Sequence, residues 1–115
     1  MEALLKTIKI YQQSTGELPF VTWIRNLRDL RAKQKIEARI DRVRSGNFGD
    51  HRSLGEGIFE LRIQFGPGYR VYFGQEGGLI VILLLGGDKS SQHEDIQKAK
   101  TFWKDYKKRK AYANS

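Results

Sequence analysis

The sequence contains no cysteine, only two histidines and two prolines, and no long apolar run. The absence of cysteine excludes a disulfide framework, a cysteine-ligated zinc site and a thiol nucleophile. His51 and His93 are too few for a histidine-rich metal site, so we expect neither a metal nor a cofactor. The longest apolar stretch, Leu79 to Leu85, is far shorter than the roughly 20 residues that span a bilayer. It predicts a central β-strand that is covered on both faces.

Length and composition favour one globular domain. A chain of 115 residues can bury about two-thirds of the surface that its unfolded state exposes. No repeat or linker divides it, and its first residues lack the apolar core of a secretory signal. We therefore expect a cytoplasmic protein without membrane contact. The predicted domain spans residues 1–115, with its core at about 7–106 and a basic, frayed tail at 107–115.

Positive charge is the first indication of function. Lysine and arginine total 21 against 13 acidic residues, which gives a formal net charge of +8. Such a field attracts nucleic acids, ribosomal surfaces and other polyanions, and it accelerates association with them. Many small proteins are basic for solubility alone, so the charge ranks nucleic acid first among partner classes without proving it.

Hydrophobic periodicity predicts an α+β fold in the order β-α-α-β-β-β-α. The segment Thr7–Tyr11 alternates as a strand does. Apolar spacings of three and four residues predict one helix from Pro19 and a second over Asp29–Arg44. The glycine-rich stretch 46–57 predicts a loop, and a capping box from Ser91 predicts the start of a C-terminal helix. The result is a small antiparallel sheet with an N-terminal helical hairpin, and with the helices largely on one side.

The segment Ile58–Phe73 predicts a β-hairpin around a three-residue turn at 66–68. That turn would pair Phe65 with Tyr69 and would place the large apolar residues on one face. The opposite face would carry four polar or amphipathic side chains: Glu60, Arg62, Arg70 and Tyr72. The two arginines are diagonal neighbours in this register.

A cationic site on this face is the main functional candidate. Arg62 and Arg70, with Lys89 after the central strand, would surround a phosphate, which guanidinium groups bind bidentately. RNA supplies its own nucleophile, the 2′-hydroxyl, so a ribonuclease needs only a base, an acid and positive charge around the phosphorus. His93, in the first turn of the last helix, is a further catalytic candidate. The same pattern is compatible with arginines that only pair with carboxylates on a solvated sheet.

The second helix carries another basic surface. Its cations repeat every three or four residues: Arg28, Arg31, Lys35, Arg39 and Arg42. Lys35 and Arg39 are candidate contacts to an RNA backbone, and Tyr72 is a candidate RNA contact on the sheet. A merely solvated helix face would show the same spacing.

Three motifs together resemble the RelE/ParE toxin superfamily, and most closely its HigB-like, phage-derived addiction-module killer branch. They are Phe59–Ile63 (FELRI), Gly66–Phe73 (GPGYRVYF) and Leu83–Gln92 (LLLGGDKSSQ). The last motif is followed by Asp-Ile-x-x-Ala-Lys, and the similarity extends over about residues 7–104. The resemblance thus covers most of the chain.

The resemblance implies the toxin of a bacterial type II toxin–antitoxin system. In the mRNA-cleaving branch, which the resemblance favours, such a toxin is a metal-independent endoribonuclease that cleaves the message in the ribosomal A site and arrests translation. Arg70 would hold the scissile phosphate, Arg62 would take the place of a strand lysine, and Lys89 would neutralise charge or assist the leaving group. The resemblance also implies a helix-turn-helix antitoxin that neutralises the toxin in a hetero-oligomer.

Two departures from the family pattern leave alternatives open. Glu60 stands where some members have a lysine, and Gln92 or His93 stands where they have a tyrosine. The general base is therefore Glu60, His93 or none, with substrate distortion in the ribosome taking its place. The alternative functions are a ParE-like inhibitor of DNA gyrase and a catalytically inactive RNA-binding remnant. We expect Arg70 to be exposed, so that its truncation costs little stability.

Overall fold

Five strands and three helices make up the part of the chain that the computed structural model describes, residues 5–113. The elements are β1 (Thr7–Ile10), α1 (Pro19–Asn26), α2 (Leu30–Arg44), β2 (His51–Gly55), β3 (Ile58–Ile63), β4 (Tyr69–Glu76), β5 (Ile80–Asp88) and α3 (Gln92–Ala113). A short 3₁₀ turn, Lys89–Ser91, joins β5 to α3. Residues 1–4 and 114–115, the two ends of the predicted domain, lie outside this description.

The strands form one mixed sheet in the order β1-β5-β4-β3-β2. β1 runs parallel to β5, whereas the other neighbouring strands are antiparallel. The predicted α+β class is confirmed, and the wholly antiparallel sheet is wrong. Within residues 5–113, no helix is both long and apolar enough to cross a membrane.

A hydrophobic core lies on each face of the sheet. α1 and α2 pack on one face and α3 packs on the other. β5 supplies side chains to both cores, Val81 and Leu83 to the first and Ile82 and Leu84 to the second. The predicted two-sided central strand is confirmed. The prediction that helices lie largely on one side is wrong, because the second apolar face of β5 needs a cover and α3 provides it.

The two N-terminal helices begin where their sequence predicts. Pro19 occupies the first turn of α1, where a missing N–H has no partner to lose. The Asp29 carboxylate caps α2 and accepts from the backbone N–H groups of Arg31 and Ala32 at 2.9 and 3.2 Å. The buried residues of α2 form the predicted stripe: Ala32, Ile36, Ile40 and Val43.

The stretch predicted as a glycine-rich loop contains β2. This strand lies at the edge of the sheet, is largely exposed and pairs with β3. The pairing shifts register between Ser53 and Gly55. An exposed edge strand needs little apolar alternation, so hydrophobic periodicity gives no signal for it.

The C-terminal helix continues to Ala113. Residues 107–113 of the predicted tail are therefore helical, and the last two residues lie outside the description. Two basic side chains attach this end of the helix to the rest of the fold. Arg109 donates to the carbonyl oxygen of Gln12, and Lys110 pairs with Glu76.

The turn between β3 and β4 is two residues longer than predicted. Ile63 pairs with Tyr69, so the predicted pairing of Phe65 with Tyr69 is wrong. Phe65 instead belongs to the turn, and its carbonyl oxygen accepts from the N–H of Gly68 at 3.1 Å. A shift of two residues preserves which side chains share a face. It makes the two site arginines direct cross-strand neighbours rather than diagonal ones.

Glycines in the inner strands make room for tryptophan rings. A Cβ atom on Gly74 of β4 would lie 2.2 Å from the ring of Trp103, and one on Gly86 of β5 would lie 2.2 Å from the ring of Trp23. The Trp103 indole cannot move away freely, because its Nε1 donates to the carbonyl oxygen of Glu56 at 2.8 Å. The sheet and α3 can pack this closely only if position 74 has no side chain.

We expect Gly74→Ala to lower the free energy of unfolding by about 1–3 kcal/mol, because the added methyl overpacks a fixed ring. Urea denaturation measures the change. In a Trp103→Leu background the same substitution should cost much less, since the ring that excludes the methyl is gone. Equal costs in the two backgrounds would show that the indole is not the obstacle.

Candidate functional site

A shallow depression of about 460 Å³ lies at one end of the sheet, between the turn after β3 and the residue that follows β5. Arg62, Arg70 and Lys89 are among the residues that line it. The topology explains their proximity, because Arg62 pairs across the strands with Arg70, and Arg70 pairs with Gly87, two residues before Lys89. The structure thus brings together three of the four predicted catalytic residues.

Arg70 is the most enclosed cation of the depression, with a side chain that is 14% exposed. The expectation that it is exposed is therefore wrong. Its Nε lies 3.6 Å from Oε1 of Glu60, close enough for an ion pair but too far for a good hydrogen bond. Within residues 5–113, the buried Nε and Nη1 atoms have no hydrogen-bond partner. Unsatisfied buried donors are costly, and the side chain that carries them also lines the depression.

Glu60 is a fully buried carboxylate that contacts the site through Arg70. Its Oε1 accepts from Nε of Arg52, and its Oε2 accepts from Nε2 of Gln92, each at 3.0 Å. Glu60 therefore connects β3 to β2, β4 and α3. Both oxygens are engaged and neither is accessible, which argues against Glu60 as the general base.

Tyr72, the cross-strand partner of Glu60, is fully buried and does not line the depression. Burial raises the pKa of its phenol, and the nearby charge of Glu60 raises it further. Its hydroxyl has no hydrogen-bond partner among the described residues. The structure therefore gives RNA no exposed face of the Tyr72 ring on which a base could stack.

Arg62 already holds a carboxylate. Its Nη2 and Nε lie 2.7 and 3.1 Å from Oδ1 of Asp50, and Gln64 donates to the other oxygen of Asp50 at 3.2 Å. The hydrogen bond from Arg62 lowers the pKa of Asp50 from its usual value. The stability that this pair contributes is lost only as the pH falls through that lowered pKa, so the pair persists at neutral pH. A phosphate in the depression must therefore compete with Asp50 for Arg62.

Arg39, a predicted RNA contact, is half-buried between α2 and the sheet. Its guanidinium donates to the backbone carbonyl oxygens of Arg62, Phe48 and Asp50 at 2.5, 2.9 and 3.1 Å. Burial lowers its pKa. These bonds fix the segment before β2 against the end of β3, which keeps Asp50 beside Arg62.

Lys35, the other predicted contact on α2, is exposed. Its ammonium nitrogen lies 5.1 Å from the centre of the Phe65 ring, within the range of a cation–π interaction. Lys35 lines a second depression that adjoins the first one.

Lys89 is positioned by the turn after β5. The Asp88 carboxylate caps this turn and accepts from the backbone N–H of Ser90 at 2.8 Å. Hydrogen bonding from Ser90 lowers the pKa of Asp88. Ser91, the predicted cap of α3, donates from its Oγ to the Asp95 carboxylate at 2.5 Å.

The fourth predicted catalytic residue, His93, lies apart from these contacts. It is exposed in the first turn of α3 and is not among the residues that line the depression. Its neighbour Gln92 does contact the site, because the Gln92 side-chain amide donates to Glu60. Among residues 5–113, no group of three or more histidine or acidic side chains could hold a metal ion.

Sequence reasoning missed two residues of the site, Asp50 and Arg52. Both contact β3 from the segment that the glycine pattern assigns to a loop. Arg52 pairs with Glu60 directly across the β2–β3 ladder. The only available signal was the acidic position at Glu60, which needs a cationic partner once it is buried.

The fold and the site define a small α+β protein with a cationic depression large enough for a nucleotide-sized anion. No family model matches the sequence. Over 83 residues the chain is 58% identical to a protein of Haemophilus influenzae described as uncharacterized, and the match covers 72% of this chain and 84% of that protein. The chain therefore belongs to the same family as this Haemophilus protein. Because that protein is described only as uncharacterized, the relationship does not identify an activity for the site.

We expect Glu60→Gln to lower the free energy of unfolding by about 2–4 kcal/mol, because it removes the buried counter-charge of Arg70. Urea denaturation at pH 7 measures the change. Glu37→Gln is the matched control, since it removes one carboxylate from the exposed face of α2 and should change stability by less than about 0.5 kcal/mol. Equal stabilities of the two variants would contradict the role of Glu60.

Proposed function

We propose that the chain is the toxin of a type II toxin–antitoxin system of the RelE/ParE superfamily, and that it cleaves mRNA on the ribosome without a metal. The observation that carries the proposal is Arg70, an enclosed guanidinium that lines an anion-sized depression together with Arg62 and Lys89. The resemblance of the hairpin and β5 motifs supports the choice of class. The net charge of +8 supports a polyanionic substrate.

The proposed fold family also agrees with the arrangement of the elements. In a RelE-like fold, α1 and α2 would be the N-terminal helical hairpin, and β3, β4 and β5 would be the functional part of the sheet. Both N-terminal helices pack on the same sheet face, as this interpretation requires. β2 would be an additional edge strand that supplies Arg52 to Glu60.

In the proposed reaction, the 2′-oxygen of the RNA attacks the adjacent phosphorus. The bond from phosphorus to the 2′-oxygen forms, the bond to the 5′-oxygen breaks, and the leaving 5′-oxygen takes up a proton. Negative charge grows on the non-bridging oxygens, where Arg70 would donate and where Arg62 and Lys89 would add positive charge. One such donor contributes about 2–4 kcal/mol to the transition state.

The proton of the attacking hydroxyl needs an acceptor. Glu60 is enclosed, so His93 is the remaining acceptor candidate from the sequence. Without a protein base, the proton would pass to water, and distortion of the message within the ribosome would supply the acceleration instead. Since His93 does not line the depression, the message would have to approach the start of α3 for this histidine to act. The ribosome requirement of the proposed reaction fits a site that lacks an accessible base of its own.

We further propose a helix-turn-helix antitoxin as the partner, which neutralises the toxin in a cytoplasmic hetero-oligomer. This partner follows from the toxin class. Acidic segments of an antitoxin would be attracted by the same positive field that attracts RNA.

One observation favours a second candidate function, a ParE-like inhibitor of DNA gyrase. Arg62 and Arg70 are already paired with carboxylates, and no acidic residue or histidine is among the described residues that line the depression. A site without an accessible base suits a binding surface as well as it suits a ribosome-assisted nuclease. A catalytically inactive RNA-binding remnant would share these features.

We expect Arg70→Lys to reduce message cleavage by about 30- to 1000-fold, because lysine keeps the charge beside Glu60 but loses the guanidinium fork. Cleavage is measured in a cell-free translation reaction with a defined mRNA, with new 5′ ends mapped by primer extension. Lys104→Ala, on the exposed side of α3, is the control and should cleave as the wild type does. Circular dichroism and thermal melting establish that both variants are folded.

A reaction without ribosomes completes the design. Cuts that follow the reading frame and require ribosomes would support the nuclease. An intact message from a wild-type protein that still arrests growth in cells would overturn it, and a gyrase supercoiling assay would then test the alternative. Full cleavage by folded Arg70→Lys would refute the assignment of Arg70.

A further inference from the structure

A second basic depression of about 490 Å³ adjoins the candidate site, between α2 and the end of β3. It shares Ile63, Gln64 and Phe65 with the first depression, so the two lie on either side of this segment. We propose that a single RNA strand crosses this segment and occupies both depressions. The proposal rests on the proposed nuclease function and names the path of its substrate.

The residues that line the two depressions carry charge of one sign. Seven of the described lining residues are cationic and none is acidic: Arg31, Lys35, Arg39, Arg42, Arg62, Arg70 and Lys89. The positive lining continues from the candidate site along α2. A strand that carries one phosphate per nucleotide meets cations over this whole path.

The cations at the periphery of this path have no carboxylate partners among residues 5–113. Arg31, Lys35 and Arg42 are exposed, and none of their side chains forms an ion pair with a described carboxylate. Like charges three and four residues apart on a helix repel each other and destabilise it. An external polyanion would remove this repulsion, whereas the inner arginines are already held by Asp50, Glu60 and backbone carbonyls.

Phe65 favours RNA over an acidic protein segment as the occupant. Its ring is only partly buried, belongs to the shared segment and lies 5.1 Å from the Lys35 ammonium nitrogen. Aromatic rings in basic grooves stack nucleic-acid bases, and they do so with little dependence on sequence. A carboxylate-rich peptide would pair with the lysine but would make no use of the ring. The ring also packs against the core of the first sheet face, so the Lys35 ammonium covers the side that a base would use. In the proposed complex, phosphates occupy the depressions, the Lys35 ammonium moves from the ring to a phosphate, and a base stacks on Phe65.

The charge contribution is tested with a 2′-O-methyl oligonucleotide, which lacks the attacking hydroxyl and cannot be cleaved. Fluorescence anisotropy gives its affinity over a range of salt concentrations. Each lost phosphate contact should reduce the salt slope by about 0.7, so the double variant Arg31→Ala/Arg42→Ala should lose about 1.4. Lys104→Ala on α3 also removes a cation and should keep the wild-type slope.

The stacking contribution is tested with Phe65→Leu, which keeps an apolar side chain and removes the ring. We expect binding of the oligonucleotide to weaken about tenfold. Binding of an abasic strand of the same length should not change, because only the bases use the ring. Circular dichroism and thermal melting establish that the binding variants are folded.

The outcomes separate this path from the nuclease proposal. A wild-type salt slope in folded Arg31→Ala/Arg42→Ala overturns the path. The path is also overturned if polyglutamate displaces the oligonucleotide and Phe65→Leu binds the oligonucleotide as tightly as the wild type does. In-frame cleavage with unchanged slopes refutes the path and leaves the nuclease standing. The expected changes in binding, beside a message that stays intact on ribosomes, support the path and refute the nuclease.

Discussion

The buried carboxylate of Glu60 is the interaction on which the site depends. It is inaccessible to solvent, yet it contacts Arg52 of β2, Arg70 of β4 and Gln92 of α3. Burying a charge is unfavourable unless partners surround it, and here the partners come from three other elements. The same carboxylate therefore helps to close the sheet against α3 and holds Arg70 beside the depression.

The cations of this surface fall into two groups. The inner arginines are held in place, Arg62 by Asp50, Arg70 by Glu60 and Arg39 by backbone carbonyls. The outer cations on α2 are exposed and have no carboxylate partners among the described residues. Fixed inner groups can orient one phosphate without reorganisation, whereas mobile outer groups attract a polyanion over a longer range. This division is what a site for one phosphate within a longer strand requires.

The fold could be predicted for the elements in which burial imposes a regular spacing of apolar residues along the sequence. The apolar stripe of α2, the two-sided strand β5 and the shared face of Glu60, Arg62 and Arg70 all follow from side-chain alternation. The edge strand β2 could not be predicted, because little of it is buried. The hairpin register was wrong by two residues, since such a shift leaves the alternation intact. The enclosure of Arg70 was missed because its partner Glu60 is itself buried and bonded to Gln92 of α3, a contact between residues far apart in sequence that alternation does not reveal.

The central claim is that Arg70 binds a phosphate of RNA from its place beside Glu60. NMR of the arginine Nε–Hε groups tests it most directly, by titration with a 2′-O-methyl oligonucleotide. The account predicts that the Arg70 signal shifts and becomes protected from solvent exchange, while the signal of Arg109, paired with Asp105 at the far end of α3, does not change. Binding of the oligonucleotide without any change at Arg70 would contradict the account.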